Sequence, residues 1–408
     1  MLLVRTLAVL SLHTSPLVQP GVGDSGGMNV YVRELVSSLA QAGVRSTVFT
    51  RRDGLDLPDV VDVEPGFRVV HIDAGPADLP KERLPEVVDA FTDGVLAHLR
   101  SHDDVDAIHA NYWLSGVAGH TLKHALDIPL VSTFHTLARV KAETGDAEPQ
   151  RRIDAELAVM RCSDAITASC PAEAQQLERL YDMPPERIQL VPPGVIHAFF
   201  SPGDRRGAQR ALGLHDDGHP VLLFVGRIQP LKGVDVAIAA LAEVTHDDAE
   251  LLIVGGPSGP DGHAEAAKAH ALADELGVGD RITWVDPQPH YRLASYYRAA
   301  DVCVVPSRSE SFGLVALEAA ACGVPVVAAA VGGLRTLVEH GRTGYLVEDR
   351  DPTMFARSID RLLRDPVRAA AMGEAAAAHA RGFTWSTTAA RLRRLYADLT
   401  TRALVDCA

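Results

Sequence analysis

The sequence predicts an α/β protein made of two Rossmann-like domains, and three observations predict it. Short β-branched runs alternate with longer Ala- and Leu-rich stretches at helical spacing. A turn-rich interruption splits that alternation into two rounds. The 408 residues call for two or three domains at roughly 150 residues each.

In the first round the strand candidates are Leu7–Leu12, Ser46–Thr50, Val69–Asp73, Ala107–Ala110, Leu130–Phe134, Ala165–Ala168 and Ile188–Val191. Between them lie helical patterns such as Met28–Ala42, where Val32, Leu35, Val36 and Leu39 recur at 3-4 spacing and Gly43 ends the run. Pro192-Pro193-Gly194 and Ser201-Pro202-Gly203-Asp204 then mark a linker. The second round offers Val221–Val225, Leu251–Val254, Ile282–Val285, Val302–Val305, Val326–Ala329 and Tyr345–Val347. A last helix, Thr384 to Thr400, has no strand after it. The expected division is residues 1–195 and 196–383, with 384–408 packing back on the first domain. Ligands of such parallel sheets bind beyond the carboxyl ends of the strands, so the chemistry is expected in a cleft between the two domains.

Composition narrows the function. Lys plus Arg total 39 against 53 Asp plus Glu, a net charge of −14, which disfavours nucleic acid as a partner. The five cysteines, Cys162, Cys170, Cys303, Cys322 and Cys407, are scattered without C-x-x-C spacing. No disulfide and no zinc site is expected from them, and a reducing, cytoplasmic location fits. The apolar start at Met1-Leu2-Leu3-Val4-Arg5 reads as a first strand rather than a signal peptide. The apolar stretch Leu314 to Leu334 contains Glu318, Pro325 and several glycines, so it reads as helix, turn and strand and not as a membrane span.

Four segments carry chemistry. Gly21-Val22-Gly23-Asp24-Ser25-Gly26-Gly27 follows the first strand and opens a helix. Glycines there let the backbone approach an anion at the helix terminus, although a purely structural tight turn is the competing reading. In Gly226-Arg227-Ile228-Gln229-Pro230-Leu231-Lys232-Gly233 two cations flank a strand end, where a diphosphate would lie; solvated surface charges are the alternative. Glu310 and Glu318 stand roughly 9–12 Å apart if a helix starts near Phe312. That is too far for the pair about 5 Å apart that a retaining glycosidase needs, and suits two hydrogen-bond acceptors along an extended ligand. Asn111-Tyr112-Trp113 and Phe134-His135-Thr136 lie at strand ends of the first domain, where a histidine has better odds of a catalytic role. The other histidines show no metal-ligand spacing, so no metal site is expected.

As a set these segments resemble the GT-B glycosyltransferases, specifically the large retaining family that includes sucrose-phosphate synthases and bacterial mannosyltransferases. The resemblance rests on the Gly-rich first loop, Gly-Arg-x-x-x-x-Lys-Gly at 226–233 and Glu-x7-Glu at Glu310 and Glu318, and runs from about Leu7 to Leu395. His13-Thr14-Ser15-Pro16, Gly23–Tyr31, Tyr112-Trp113-Leu114-Ser115-Gly116 and Gly255–Pro260 are similar to the branch acting in the mycothiol pathway of actinobacteria. Members of that branch move N-acetylglucosamine from UDP-GlcNAc to 1D-myo-inositol 3-phosphate.

The resemblance implies that Arg227 and Lys232 hold the UDP diphosphate, Glu318 the ribose and Glu310 the donor-sugar hydroxyls, with Gln19, Pro20 and Gly27 on the donor side. It places His135 near the reacting centre, so that His135, Glu310, Arg227 and Lys232 form the catalytic set. It implies Lys81, Tyr112, Thr136 and Arg151 around the acceptor phosphate, with His13, Asp24 and Asn29 on the same side. Two cations and two hydroxyls on a phosphomonoester make charge-assisted hydrogen bonds. Catalysis without a metal cofactor is implied, with a structural Mg²⁺ left open. The implied partners are a UDP-sugar and a small phosphorylated polyol, with neither nucleic acid nor membrane and a homodimer left open.

The sequence departs from the family pattern at Asp286-Pro287-Gln288-Pro289, where the family carries Arg, at Asn111-Tyr112, where it carries His-Tyr, and in a shorter loop at Glu143–Glu148. GlcNAc against glucose as donor stays open, as do a hexose phosphate or aminocyclitol acceptor. A nucleotide-sugar epimerase, a phosphorylase and a non-catalytic nucleotide-sugar binder are the competing readings on the same fold.

Overall fold

The computed structural model describes residues 4–21, 23, 25–102, 104–214, 218–259 and 262–407. These fall into two compact units, one of residues 1–18, 28–192 and 385–408, the other of 19–27 and 193–384.

The first unit holds the strands β1 (Thr6–Leu10), β2 (Arg45–Arg51), β3 (Val60–Glu64), β4 (Phe67–Ile72), β5 (Ala107–Asn111), β6 (Leu130–Thr133), β7 (Ala165–Ala168) and β8 (Ile188–Leu190). Their order is β3-β4-β2-β1-β5-β6-β7-β8, and only the β3–β4 pair is antiparallel among the described strands. Seven of the eight lie within two residues of their expected positions, because a strand covered on both faces reads as an unbroken apolar run. β3 is the one the sequence did not announce. It is an edge strand flanked by Pro58 and Pro65 with no fully buried residue, so it carries no core signal.

The second unit holds β9 (Val221–Val225), β10 (Glu250–Val254), β11 (Ile282–Val285), β12 (Val302–Val305), β13 (Val326–Ala329) and β14 (Gly344–Val347), all parallel. The order β11-β10-β9-β12-β13-β14 is the 3-2-1-4-5-6 arrangement of a doubly wound nucleotide-binding sheet. The strand order reverses between β9 and β12, and in the first unit between β1 and β5. Ligands of such sheets bind at these switch points.

The helix Trp385–Leu399 belongs to the first unit. Tyr396, fully buried, is hydrogen-bonded through its hydroxyl to His109 Nδ1 of β5 at 2.6 Å, and Thr388 Oγ1 donates to the Pro192 carbonyl at 2.7 Å. The contiguous division at residue 195 needs one revision. Gln19–Gly27 groups with the second unit, held there by Gln19 Nε2 donating to the Pro287 carbonyl at 2.9 Å and Ser258 Oγ donating to the Gly23 carbonyl. Among the described residues no helix is long and apolar enough to cross a membrane.

The expectation of no disulfide is overturned for one pair. Cys162 and Cys407, 245 residues apart, are joined, while Cys170, Cys303 and Cys322 are buried outside any disulfide among the described residues. Sequence spacing finds only local cysteine motifs, and here the chain's last residues return to the end of the helix Gln150–Cys162. A buried ion pair anchors that return. Lys123 Nζ, with no exposed surface, donates to Asp164 Oδ1 (2.9 Å), the Cys162 carbonyl (2.7 Å) and the Val405 carbonyl (3.0 Å). Asp164 Oδ1 in turn accepts from Val405 N at 2.7 Å. Lys123→Met should therefore cost about 3–5 kcal/mol in a denaturant titration, since it leaves Asp164 buried without its cation. A loss below about 1 kcal/mol would mean that water reaches the pair.

Candidate active site

In the second unit the site grows from the ends of β9 and β12. After β9 the chain turns at Gly226 and presents Arg227, whose Nη1 donates to Ser258 Oγ at 3.3 Å. The β10 end packs directly against this turn: Gly255, at φ +155°, would place a Cβ 1.9 Å from the Gly226 carbonyl oxygen, so no side chain fits there. Arg227 also lies along Gly26, where a Cβ would meet its Nε at 3.2 Å. The Gly-rich loop thus stays bare on the face the guanidinium covers. Gly27 starts the helix Gly27–Gln41, partly buried Pro20 precedes the loop, and Asp24 lies outside the described residues.

Lys232 Nζ meets Glu310 Oε2 at 2.7 Å, both side chains being partly exposed. Ser307 Oγ also reaches that oxygen, at 3.5 Å. Glu310 sits in the loop after β12, held from behind by the pair Gly332-Gly333. Gly333 N donates to the Glu310 carbonyl at 2.9 Å, and a Cβ on Gly332 (φ +43°) would lie 2.0 Å from the same oxygen. The helix begins at Leu314, two residues later than expected. Glu310 therefore belongs to the loop, and Glu318 alone is helical.

Glu318 is 5% exposed, and both of its oxygens are engaged. His290 Nε2 donates to Oε1 at 2.7 Å and Tyr297 Oη donates to Oε2 at 2.8 Å. Burial, reinforced by the Glu318 charge, pushes the Tyr297 hydroxyl well above its usual range, so it remains a donor. The carboxylate is thus already oriented, and each of its oxygens can still accept a second bond.

In the first unit the site grows from the ends of β1, β5 and β6. Two non-glycine residues there have positive φ, Tyr112 at 73° and His135 at 61°. Around His135 the Thr136 N–H donates to the Phe134 carbonyl at 2.7 Å, a tight and strained turn. Strain at adjacent strand ends is typical of a functional site. Asn111 turns its carbonyl oxygen to His135 Nε2 at 2.9 Å, so Nε2 carries the proton. Burial, with a smaller contribution from His109, holds the imidazole down at about 3. It is neutral at physiological pH.

The ring of His13 packs on Tyr112 with centroids 4.4 Å apart. Thr136 Oγ1 accepts from Arg152 Nη2 at 3.1 Å. Lys81 begins the short helix Lys81–Val87, and exposed Arg151 donates to the carbonyl of neighbouring Glu82 at 3.0 Å, so the two cations sit on adjoining segments. Asn29 lies behind the His13 loop. Its amide donates to Thr14 Oγ1 and the Ser15 carbonyl, both at 2.6 Å, which makes it the brace of the His13 loop.

Several residues escaped the sequence reading. Buried Glu156 accepts from Arg152 Nε (2.8 Å), from Ala138 N (3.0 Å) and from the Tyr181 hydroxyl, fixing the segment that follows His135. Arg152 stacks 5.2 Å from the Tyr112 ring centroid. His290 and Tyr297 pair with Glu318 from a distant stretch, with no spacing to reveal them. Gly332-Gly333 after a strand was the one legible signal. A cavity of about 470 Å³ lined by Thr6, Arg45, Asp62 and Arg68 lies at the opposite, amino edge of the first sheet, away from these groups.

Comparison with known proteins agrees with the two halves. Residues 26–194 match the glycosyl transferase 4-like domain, and residues 206–379 match glycosyl transferases group 1. A D-inositol 3-phosphate glycosyltransferase of Thermobispora bispora is 47% identical, covering 97% of this chain and 95% of its own. D-inositol 3-phosphate glycosyltransferase 2 of Catenulispora acidiphila is 48% identical, covering 99% and 96%. Among solved structures, the sucrose-phosphate synthase of Thermosynechococcus elongatus is similar with a TM-score of 0.91 and 35% identity over 97% of this chain and 99% of its own. Anabaena HepE, solved with UDP and glucose, shares the fold at a TM-score of 0.78 and 20% identity over 97% of this chain and 100% of its own. The chain belongs to the GT-B glycosyltransferases, in the family of the D-inositol 3-phosphate glycosyltransferases.

Proposed function

We propose that the chain transfers N-acetylglucosamine from UDP-GlcNAc to 1D-myo-inositol 3-phosphate with retention of the anomeric configuration. The observation that carries the transferase reading is the Lys232–Glu310 pair beside Arg227 at the β9/β12 switch point. It offers two cations for a leaving diphosphate and, next to them, a carboxylate for sugar hydroxyls. The acceptor follows from relatives of that name matching nearly the full chain, and from Lys81 and Arg151 as cations suited to a phosphomonoester.

In this reading UDP departs as Arg227, Lys232 and the backbone at Gly26–Gly27 stabilise its growing charge. These fixed cations do the work for which other enzymes use a metal. The acceptor hydroxyl enters on the face the diphosphate leaves and passes its proton to a departing phosphate oxygen. Neutral His135, its Nε2–H engaged by Asn111, shapes the site around the oxocarbenium-like state and takes no proton. A hexose phosphate is the second reading for the acceptor, favoured by the likeness to a sucrose-phosphate synthase.

The test is UDP release from UDP-GlcNAc and from UDP-glucose, with 1D-myo-inositol 3-phosphate, unphosphorylated inositol or a hexose phosphate. Release should require UDP-GlcNAc and the inositol phosphate, and the product should keep the α configuration by NMR. Lys81→Ala should raise KM for that acceptor about 10–100-fold, the worth of one charge-assisted bond, with donor affinity unchanged. Release driven only by a hexose phosphate would replace this acceptor with the second reading.

A further inference from the structure

We infer that, once the Cys162–Cys407 disulfide is reduced, His120, His124, Cys162 and Cys407 form a Zn²⁺ site that clamps the end of the chain onto the first unit. His120 and His124 lie one turn apart on the helix Trp113–Leu126, and so share a face. Cys162 closes the helix Gln150–Cys162, and Cys407 arrives from the last residues of the chain. The four ligand atoms all lie within 4.8 Å of one another.

The nitrogen-to-sulfur distances bracket those around a tetrahedral cation. Zn–N near 2.0–2.1 Å and Zn–S near 2.3 Å give N···S edges of about 3.6 Å. His124 Nε2 stands 3.2 Å from Cys162 Sγ and 2.9 Å from Cys407 Sγ, and His120 Nε2 stands 3.9 Å from Cys407 Sγ. The two Cα atoms are 4.9 Å apart, and reduction leaves each sulfur able to turn about its Cα–Cβ bond towards one ion. A disulfide requires two cysteines and nothing else. It gives no reason for two imidazoles to aim the same nitrogen at the sulfurs.

The surroundings favour a cation held by thiolates. Buried Lys123, between the two histidines in sequence, is neutralised by Asp164 and fixes the Val405 backbone two residues before Cys407. Two thiolates and two neutral imidazoles balance the charge of Zn²⁺, and binding releases two thiol protons. Sulfur and nitrogen donors in this number suit zinc and exclude the all-oxygen shell of Mg²⁺. The cluster was invisible in the sequence, because its ligands are spread over nearly 290 positions, from His120 to Cys407.

The test uses the full chain purified with a phosphine reductant and no chelator. Elemental analysis should find about one zinc per chain, and Co²⁺ loaded in its place should show the visible bands of a tetrahedral thiolate complex. Chelation should lower Tm by about 5 °C or more. His120→Ala and His124→Ala should each lose the metal, while UDP release, whose residues lie elsewhere, reports that these variants fold. Cys407→Ser, a change in the chain's terminal segment, provides a second variant that should also lose the ion. The inference is overturned if the reduced chain binds no zinc above the His120→Ala level. It is equally overturned if a Cys162–Cys407 disulfide persists under reductant in wild type and both histidine variants alike.

Discussion

Lys232→Ala should lower kcat/KM for transfer by about 10²–10³-fold, the loss seen when one fixed donor to a developing negative charge is removed. Two effects add. In the proposed reaction the diphosphate loses a cation from the loop after β9, and Glu310 loses its partner at 2.7 Å, leaving a carboxylate that repels the leaving group. Lys232→Arg should recover little, because a planar fork does not reproduce a compact ammonium. The Lys232→Ala/Glu310→Ala pair should fall short of the sum of its singles, since the two residues share one interaction. Initial rates of UDP release over a donor series measure all three. Full additivity would mean that the lysine and the carboxylate serve the ligand independently.

His135→Ala should cut kcat by about 10²-fold, the cost of misplacing the reacting groups it positions, and remove no limb from the pH profile between 5 and 8. The sign follows from burial. The folded imidazole is held near 3, below the ordinary value of about 6.5, so it is neutral through that whole window. A general base of ordinary pKa would instead give a rising limb near pH 6.5 in the wild type that vanishes in the variant, and that result would sink the front-face reading. The same shift governs stability. Below about pH 6.5 the unfolded chain takes up a proton that the folded chain refuses, so His135 lowers stability as pH falls towards 3 and contributes nothing above pH 6.5. Fully buried His109, likewise held near 3, acts in the same direction.

Local features were readable from the residues alone. Thirteen of the fourteen strands among the described residues could be read from apolar runs bounded by turns, since doubly covered parallel strands need no partner in view to be recognised. The half-site segments were legible for the same reason: glycines, cations and carboxylates at fixed spacing from strand ends report the backbone and charge that an anion requires. What those residues touch was settled by the folding of distant segments together. Glu310 faces Lys232 while Glu318 faces His290 and Tyr297; Asn29 braces a loop; Gln19–Gly27 groups with the second unit. Cys162 meets Cys407 beside two histidines. Periodicity records how each segment buries its own face, but partners dozens or hundreds of residues apart are chosen by sheet order and chain return, which leave no spacing in the sequence.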